Sequence, residues 1–145
     1  MSKLDLHTIC RILEIDAGHR VVGHEGKCAS LHGHRYKFEI YATADDLDNI
    51  GRVIDFSILK EVIGNWLEHN WDHAMILWEE DPVAYLWQSD ALSDQKFFAL
   101  PYNPTAENLA SYLFEEAEKL LKPYGVRVIK IVCWETPNCF AIVEQ

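Results

Sequence analysis

Between residues 8 and 19 apolar and polar side chains alternate: Ile9, Leu13, Ile15 and Ala17 share one parity, and Cys10, Glu14 and Asp16 fall mostly on the other. Successive side chains of an extended chain leave opposite faces, so this pattern predicts a half-buried β-strand. His19 continues the apolar parity. A loop from Arg20 to Leu31, holding Gly23 and Gly26, leads to a second run in which His34, Tyr36, Phe38, Ile40 and Ala42 alternate with Arg35, Lys37, Glu39 and Tyr41. After the polar turn Asp45–Asn49, Asp55 is placed to cap a helix whose apolar stripe is Leu59, Val62, Ile63, Trp66 and Leu67.

Residues 79–103 carry no sustained period, apart from a short turn of helix over Val83–Trp87, and are expected to form a surface excursion. Thr105 then caps a second helix with the stripe Leu109, Tyr112, Leu113, Ala117, Leu120 and Leu121, which Pro123 and Gly125 stop. Two β-rich runs, Val126–Glu135 and Cys139–Glu144, close the chain around a hairpin turn at Thr136-Pro-Asn138. The order strand, strand, helix, helix, strand, strand predicts an α+β domain with both helices on one face of an antiparallel sheet. A chain of 145 residues fits one domain, 1–145, that buries a core without disulfides. Its sheet edges need covering, and pairing between subunits is one solution.

Charge narrows the partners. The net charge of -10, from 23 acidic and 13 basic residues without a Lys/Arg-rich run, argues against nucleic acid or an anionic membrane as a partner. The start, Met1–His7, has no apolar segment of the signal-peptide type, and no stretch has the length of a membrane span, so a cytoplasmic protein is expected. Four cysteines, Cys10, Cys28, Cys133 and Cys139, lack the density of a disulfide framework and are expected to be reduced.

The candidate chemistry lies where the two first strands meet. In Lys27-Cys-Ala-Ser-Leu-His-Gly-His34, His32 and His34 are two apart and share a strand face. If the strands pair antiparallel, His19 joins them, and three imidazoles with an open fourth position suit catalytic zinc. The alternative for His-Gly-His alone is a polar strand start. Cys28, beside Lys27 and a divalent cation, would favour its thiolate and act as a base or nucleophile; a small buried residue and a fourth zinc ligand remain open. Asp72-His73 suits an acid/base relay or a surface histidine. Glu135, ending a strand, is either exposed or aimed into a pocket where it meets two parallel N–H donors. Capping alone accounts for Thr105 and Glu107, and His7, His24 and His69 are expected to be structural or exposed.

Together these residues resemble the 6-pyruvoyltetrahydropterin synthase / 6-carboxytetrahydropterin synthase family. The matching blocks are Ile15-Asp-Ala-Gly-His19-Arg, Cys28–His34, Val53-Ile-Asp-Phe56, Asp72-His73, Pro104-Thr-Ala-Glu107-Asn and Trp134-Glu135-Thr, leaving out the stretch near 79–100. The resemblance implies the tunnelling fold, in which subunits join their sheets into a barrel and trimers stack, commonly as a homohexamer with interfacial active sites. It implies zinc on His19, His32 and His34, Cys28 as the proton-abstracting base, Asp72 and His73 as its partner relay, and Glu135 as the anchor of a pterin ring in a pocket lined by Thr105 and Glu107.

The implied substrate is 7,8-dihydroneopterin triphosphate. Three residues separate Cys28 from His32, which resembles the bacterial branch that releases acetaldehyde and triphosphate and leaves 6-carboxytetrahydropterin for queuosine synthesis. The animal branch, which forms a pyruvoyl product, has a longer interval; a third, making a folate precursor, carries a glutamate where Ala29 and Ser30 stand. A rival of another class is a non-catalytic binding module stabilised by zinc, with Cys28 closing its site. Gly18 departs from the family's usual Ala or Ser and is expected to loosen the backbone before His19. Arg20, Lys27, Arg35 and Lys37 cluster in sequence and are expected to give the triphosphate a local basic pocket, with Lys27 and Arg35 as substrate-binding residues.

Overall fold

A computed structural model describes residues 6–145; the expectation for the chain start therefore falls partly outside the described residues. Strand β1 (Ile9–His19) runs antiparallel to β2 (His32–Thr43) over its whole length, from Ile9 opposite Ala42 to His19 opposite His32. The alternation sets the faces: Ile15, Ala17, Tyr36, Phe38 and Ile40 are buried, while Ile12, Glu14, Asp16 and Arg35 point outward and are exposed. Helix α1 (Phe56–Asn70) starts where the Asp55 side chain accepts the Ser57 N–H, and it buries Leu59, Ile63 and Leu67. Helix α2 (Ala106–Leu121) starts at Thr105, whose hydroxyl accepts the Asn108 N–H, and it buries Leu109, Ala110, Leu113, Phe114, Ala117 and Leu121. Gly125, at φ 70°, supplies the left-handed residue that ends the short 3-10 turn after α2.

Both helices pack on the inner face of a six-stranded sheet in the order β4-β3-β1-β2-β5-β6. Strands β5 (Arg127–Thr136) and β6 (Cys139–Glu144) form the expected hairpin, and β5 pairs antiparallel with β2. The antiparallel expectation holds for β1, β2, β5 and β6. It is extended by β3 (Met75–Trp78) and β4 (Phe97–Leu100), which add in parallel beyond β1 and make the sheet mixed. Residues 79–103 are correspondingly more ordered than an excursion. Asp81 caps a 3-10 helix at Pro82–Gln88, and β4 follows. Four-residue strands such as Met75-Ile-Leu-Trp78, a continuous apolar run, give periodicity too little length to register.

Candidate metal centre and active site

Register builds the centre. His19 ends β1 directly opposite His32, and His34, two residues along β2, lies opposite Ala17 on the same inner face. The three ring centroids lie 4.6, 5.1 and 4.8 Å apart. One ligand nitrogen from each ring can be chosen so that all lie within 4.8 Å of one another, and the Cys28 thiol is not a member of that cluster.

Two rings are tethered from behind. His19 Nδ1 is 2.7 Å from the Pro104 carbonyl oxygen, and His32 Nδ1 is 2.6 Å from that of Ser30. A carbonyl only accepts, so both Nδ1 atoms carry the proton and both Nε2 atoms present lone pairs to the centre. Those two Nε2 atoms are 3.2 Å apart. Facing lone pairs at that distance repel unless a proton or cation lies between them. A tetrahedral zinc ion sets its ligand nitrogens roughly 3.3 Å apart. His34 Nε2 is buried without a hydrogen-bond partner, again as a ligand atom would be. Burial pushes the pKa of His19 and of His34 below the ordinary histidine value, against the opposing pull of the Pro104 carbonyl on His19 and of Glu135 on both, and so favours the neutral, ligating form of each ring. The donor set fits zinc.

Glu135 stands beside this centre, its carboxylate 3.9 Å from His19 Nε2 and 3.7 Å from His34 Nε2. The β5–β6 register shifts between Trp134 and Thr136, so Glu135 sits at a bulge, a device that re-aims a side chain out of the regular ladder. It lines a cavity of about 380 Å3 together with Cys28, Thr105, Glu107, His24 and Phe140. Cys28 reaches that cavity from a single 3-10 turn, Lys27–Ala29, in the loop between β1 and β2. His24, expected to be structural or exposed, also lines it; its Nδ1 accepts the Gly26 N–H at 2.8 Å, so an Nε2–H donor is left free. Nothing in its sequence context singles His24 out beyond its place four residues before Cys28.

Asp72 and His73 do face each other, with His73 Nδ1 3.1 Å from Asp72 Oδ2. His73 adopts φ 62°, rare for a residue with a Cβ, and its N–H donates to the Asp16 carbonyl at 2.6 Å. The Asp16 N–H in turn donates to Asp72 Oδ1 at 3.0 Å. Burial raises the Asp72 pKa, but the Asp16 N–H and the His73 ring outweigh it and hold the carboxyl below its usual range. The pair does not share the Cys28 cavity. His73 lines a separate one of about 550 Å3, whose wall includes His34, Arg35, Met75, Trp87 and Lys96.

The expected basic cluster is dispersed. Arg20 Nε and Nη2 donate to the Asp81 carboxylate at 2.8 and 2.6 Å, so its charge is already partnered. Lys27 lies exposed on the turn before Cys28. Arg35 lies 3.0 Å from Asp16 and 3.7 Å from Glu14, and with Lys37 it lines a third cavity, of about 410 Å3, bounded by His34, Trp134 and Glu135. Spacing along a strand could not reveal that acidic neighbours on β1 stand opposite these cations.

Fold and centre define an α+β protein whose longest strand pair ends in a three-imidazole site suited to a metal ion. A family model described as 6-pyruvoyl tetrahydropterin synthase matches residues 8–145, and the chain belongs to that family of enzymes. A 6-carboxy-5,6,7,8-tetrahydropterin synthase from Rickettsia felis is 42% identical over 134 residues, covering 92% of this chain and 96% of the relative. The Haemophilus influenzae protein of the same name is 32% identical, covering 94% of this chain and 98% of its own. Among solved structures, an uncharacterised protein from Wolinella succinogenes superposes with a TM-score of 0.84 at 23% identity, covering 97% of this chain and 98% of its own. The Caenorhabditis elegans 6-pyruvoyl tetrahydropterin synthase does so at 0.69 and 22%, covering 100% and 99%, so the fold is shared.

Proposed function

We propose that this protein converts 7,8-dihydroneopterin triphosphate to 6-carboxy-5,6,7,8-tetrahydropterin, releasing acetaldehyde and triphosphate, as a cytoplasmic, zinc-dependent lyase of queuosine synthesis. The observation that carries this reading is the convergence of the His19 and His32 Nε2 lone pairs, with an unpartnered His34 Nε2, beside the cavity that holds Cys28. The name carried by the Rickettsia felis and Haemophilus influenzae relatives supports the choice of product.

His19, His32 and His34 would hold zinc, which when bound polarises the substrate's side-chain hydroxyls and makes their protons and those on neighbouring carbons easier to remove. The remaining work falls to the chain's own groups. Glu135, re-aimed by its bulge, accepts paired N–H groups of the pterin ring, with Thr105 and Glu107 lining the same cavity. Cys28 as thiolate takes a proton from the side chain, and its absence from the histidine cluster favours a base over a fourth ligand. Asp72 keeps its charge and holds His73 in position to pass protons on. Arg35, and more distantly Lys27, would meet the triphosphate, so Ala at both raises the Michaelis constant.

Cys28 and His73 open to different cavities of one chain, which favours their meeting across a subunit boundary in a homo-oligomer, a hexamer of two trimers. The sheet edge at β6, with Phe140 and Ile142 about half exposed, supplies a surface for such pairing. The test is anaerobic incubation of zinc-loaded protein with dihydroneopterin triphosphate. Acetaldehyde with the carboxy product is expected; a pyruvoyl product overturns the lyase assignment, and absence of turnover favours a binding module.

A further inference from the structure

The loop that delivers Cys28 has little structure of its own. Between His19 and His32 its backbone bonds are mostly internal: Val21 N–H to the Cys28 carbonyl at 2.8 Å, Ala29 to Gly26 at 3.2 Å, and Ser30 to Lys27 at 2.9 Å. Residues 23–27 are exposed, and no strand pairs with them. Such a segment opens locally at small cost unless something outside it is attached.

Asn103 is attached. Its Oδ1 accepts the Val22 N–H at 2.9 Å, and its Nδ2 donates to the Val22 carbonyl at 3.0 Å. One planar carboxamide thus satisfies both backbone groups of one residue, as a neighbouring strand would. Val22 adjoins Val21, whose N–H holds the Cys28 carbonyl, so the path from Asn103 to Cys28 is two hydrogen-bonded links. Asn103 is itself fixed to the start of α2, its carbonyl accepting the Thr105 N–H and the Asn108 Nδ2, both at 2.9 Å. The next residue, Pro104, offers the carbonyl that orients His19.

We propose that Asn103 is a positioning residue that locks the Cys28 loop in register with the histidine centre. Two adjacent residues of one segment, Asn103 through its side chain and Pro104 through its backbone, set the place of the thiol and the tautomer of a metal ligand. This rests on the reading of Cys28 as the base. The side-chain chemistry is specific, because aspartate has no donor for the Val22 carbonyl, and serine or alanine cannot bridge both groups.

The test compares Asn103→Ala and Asn103→Asp with the parent protein by backbone amide exchange at Val22 and by the rate of iodoacetamide alkylation at Cys28. Alkylation is read by peptide mass spectrometry with half-buried Cys10, near the end of β1 far from His19, as internal control. Exchange and Cys28 alkylation are expected to rise by about tenfold or more as the loop opens, with Cys10 unchanged. Zinc content stays at the parent level, because the Pro104 carbonyl does not depend on the Asn103 side chain. Turnover falls by roughly 10- to 100-fold in kcat with the Michaelis constant nearly constant, the signature of a misplaced base. Unchanged exchange and alkylation in both variants, or loss of zinc in step with activity, overturns the proposal. Should the parent protein not turn over the pterin substrate, the proposed reaction fails, while exchange and alkylation still decide the lock.

Discussion

The histidine centre and the Asp72–His73 pair are both anchored to β1, yet they are finished to different degrees. At the centre, two rings are tethered to backbone carbonyls of Pro104 and Ser30, His19 is 1% exposed, and the Nε2 atoms of His19 and His32 converge. The pair instead hangs from the backbone of Asp16 with the His73 side chain 74% exposed. A metal site needs several donors fixed at once, which antiparallel register and burial provide inside one chain. A relay needs one mobile proton and a partner to receive it, and within this chain His73 faces a cavity that lacks Cys28. The three imidazoles of the first region converge within the chain, and the second is presented outward.

The largest effects should separate the two. His19→Ala removes a tethered ligand and is expected to weaken zinc binding by more than about 100-fold, beyond what loss of an outer partner costs, together with all turnover. His73→Ala should leave zinc content and melting temperature at the parent level and reduce kcat by roughly 10²- to 10⁴-fold, the range for loss of an acid/base group. Metal analysis and steady-state kinetics on both variants check this, and a His73→Ala protein that loses zinc breaks the comparison. Mixed oligomers of Cys28→Ala and His73→Ala subunits sharpen it: activity returns only if the two groups meet across an interface.

How far each region was legible follows from what built it. The centre could be read because it depends on parity and spacing alone: His19 ends one alternating run, His32 and His34 begin the next, and antiparallel pairing does the rest. The caps Asp55 and Thr105 were legible for the same local reason. The tethers were not, because Pro104 and Ser30 act through carbonyls, which every residue has. Strands β3 and β4 were too short to show a period, and Arg20 read as a free cation because its partner Asp81 is 61 residues away. Asn103 and Val22 are likewise joined across 81 residues by a side chain that looks like turn composition.

A smaller effect is expected at the pair that ties the two regions together. Arg20 follows His19, and Asp81 is buried and caps the 3-10 helix carrying Trp87, part of the His73 cavity. Asp81→Asn should destabilise the metal-free protein by about 2–3 kcal/mol, the cost of weakening a charged, hydrogen-bonded pair that is only partly solvated. Hydrogen bonds from Arg20, against the opposing effect of burial, hold the Asp81 carboxyl below its usual range. Its folded pKa is therefore depressed: the stabilisation is fully present above the unfolded value, about 3.9, and is lost as pH falls through the folded one. Urea titrations should show the gap between parent and variant constant above about pH 5 and shrinking below about pH 4. A gap that persists into acid would mean that Asp81 acts through packing instead of charge.

The smallest effect tests whether the two faces of the β1–β2 ribbon are independent. Gly18 was expected to loosen the backbone before His19, but Met75, its register partner on β3, occupies the space: a Cβ on Gly18 would lie 2.8 Å from Met75 Cε, 3.0 Å from Sδ and 3.2 Å from the His32 carbonyl oxygen. The thioether end is flexible and can yield; the carbonyl cannot. Gly18→Ala should therefore cost about 1 kcal/mol, the low end for overpacking, and Met75→Ala should relieve part of it, with a coupling of roughly 0.5–1 kcal/mol in a double-mutant cycle. Zinc affinity should not change, because side chains at 18 and 19 leave opposite faces of the strand and Met75 borders the His73 cavity. If Gly18→Ala weakens zinc, the strain passes through the His32 carbonyl to the ligand itself, and the centre is no longer self-contained but shares its geometry with the relay side.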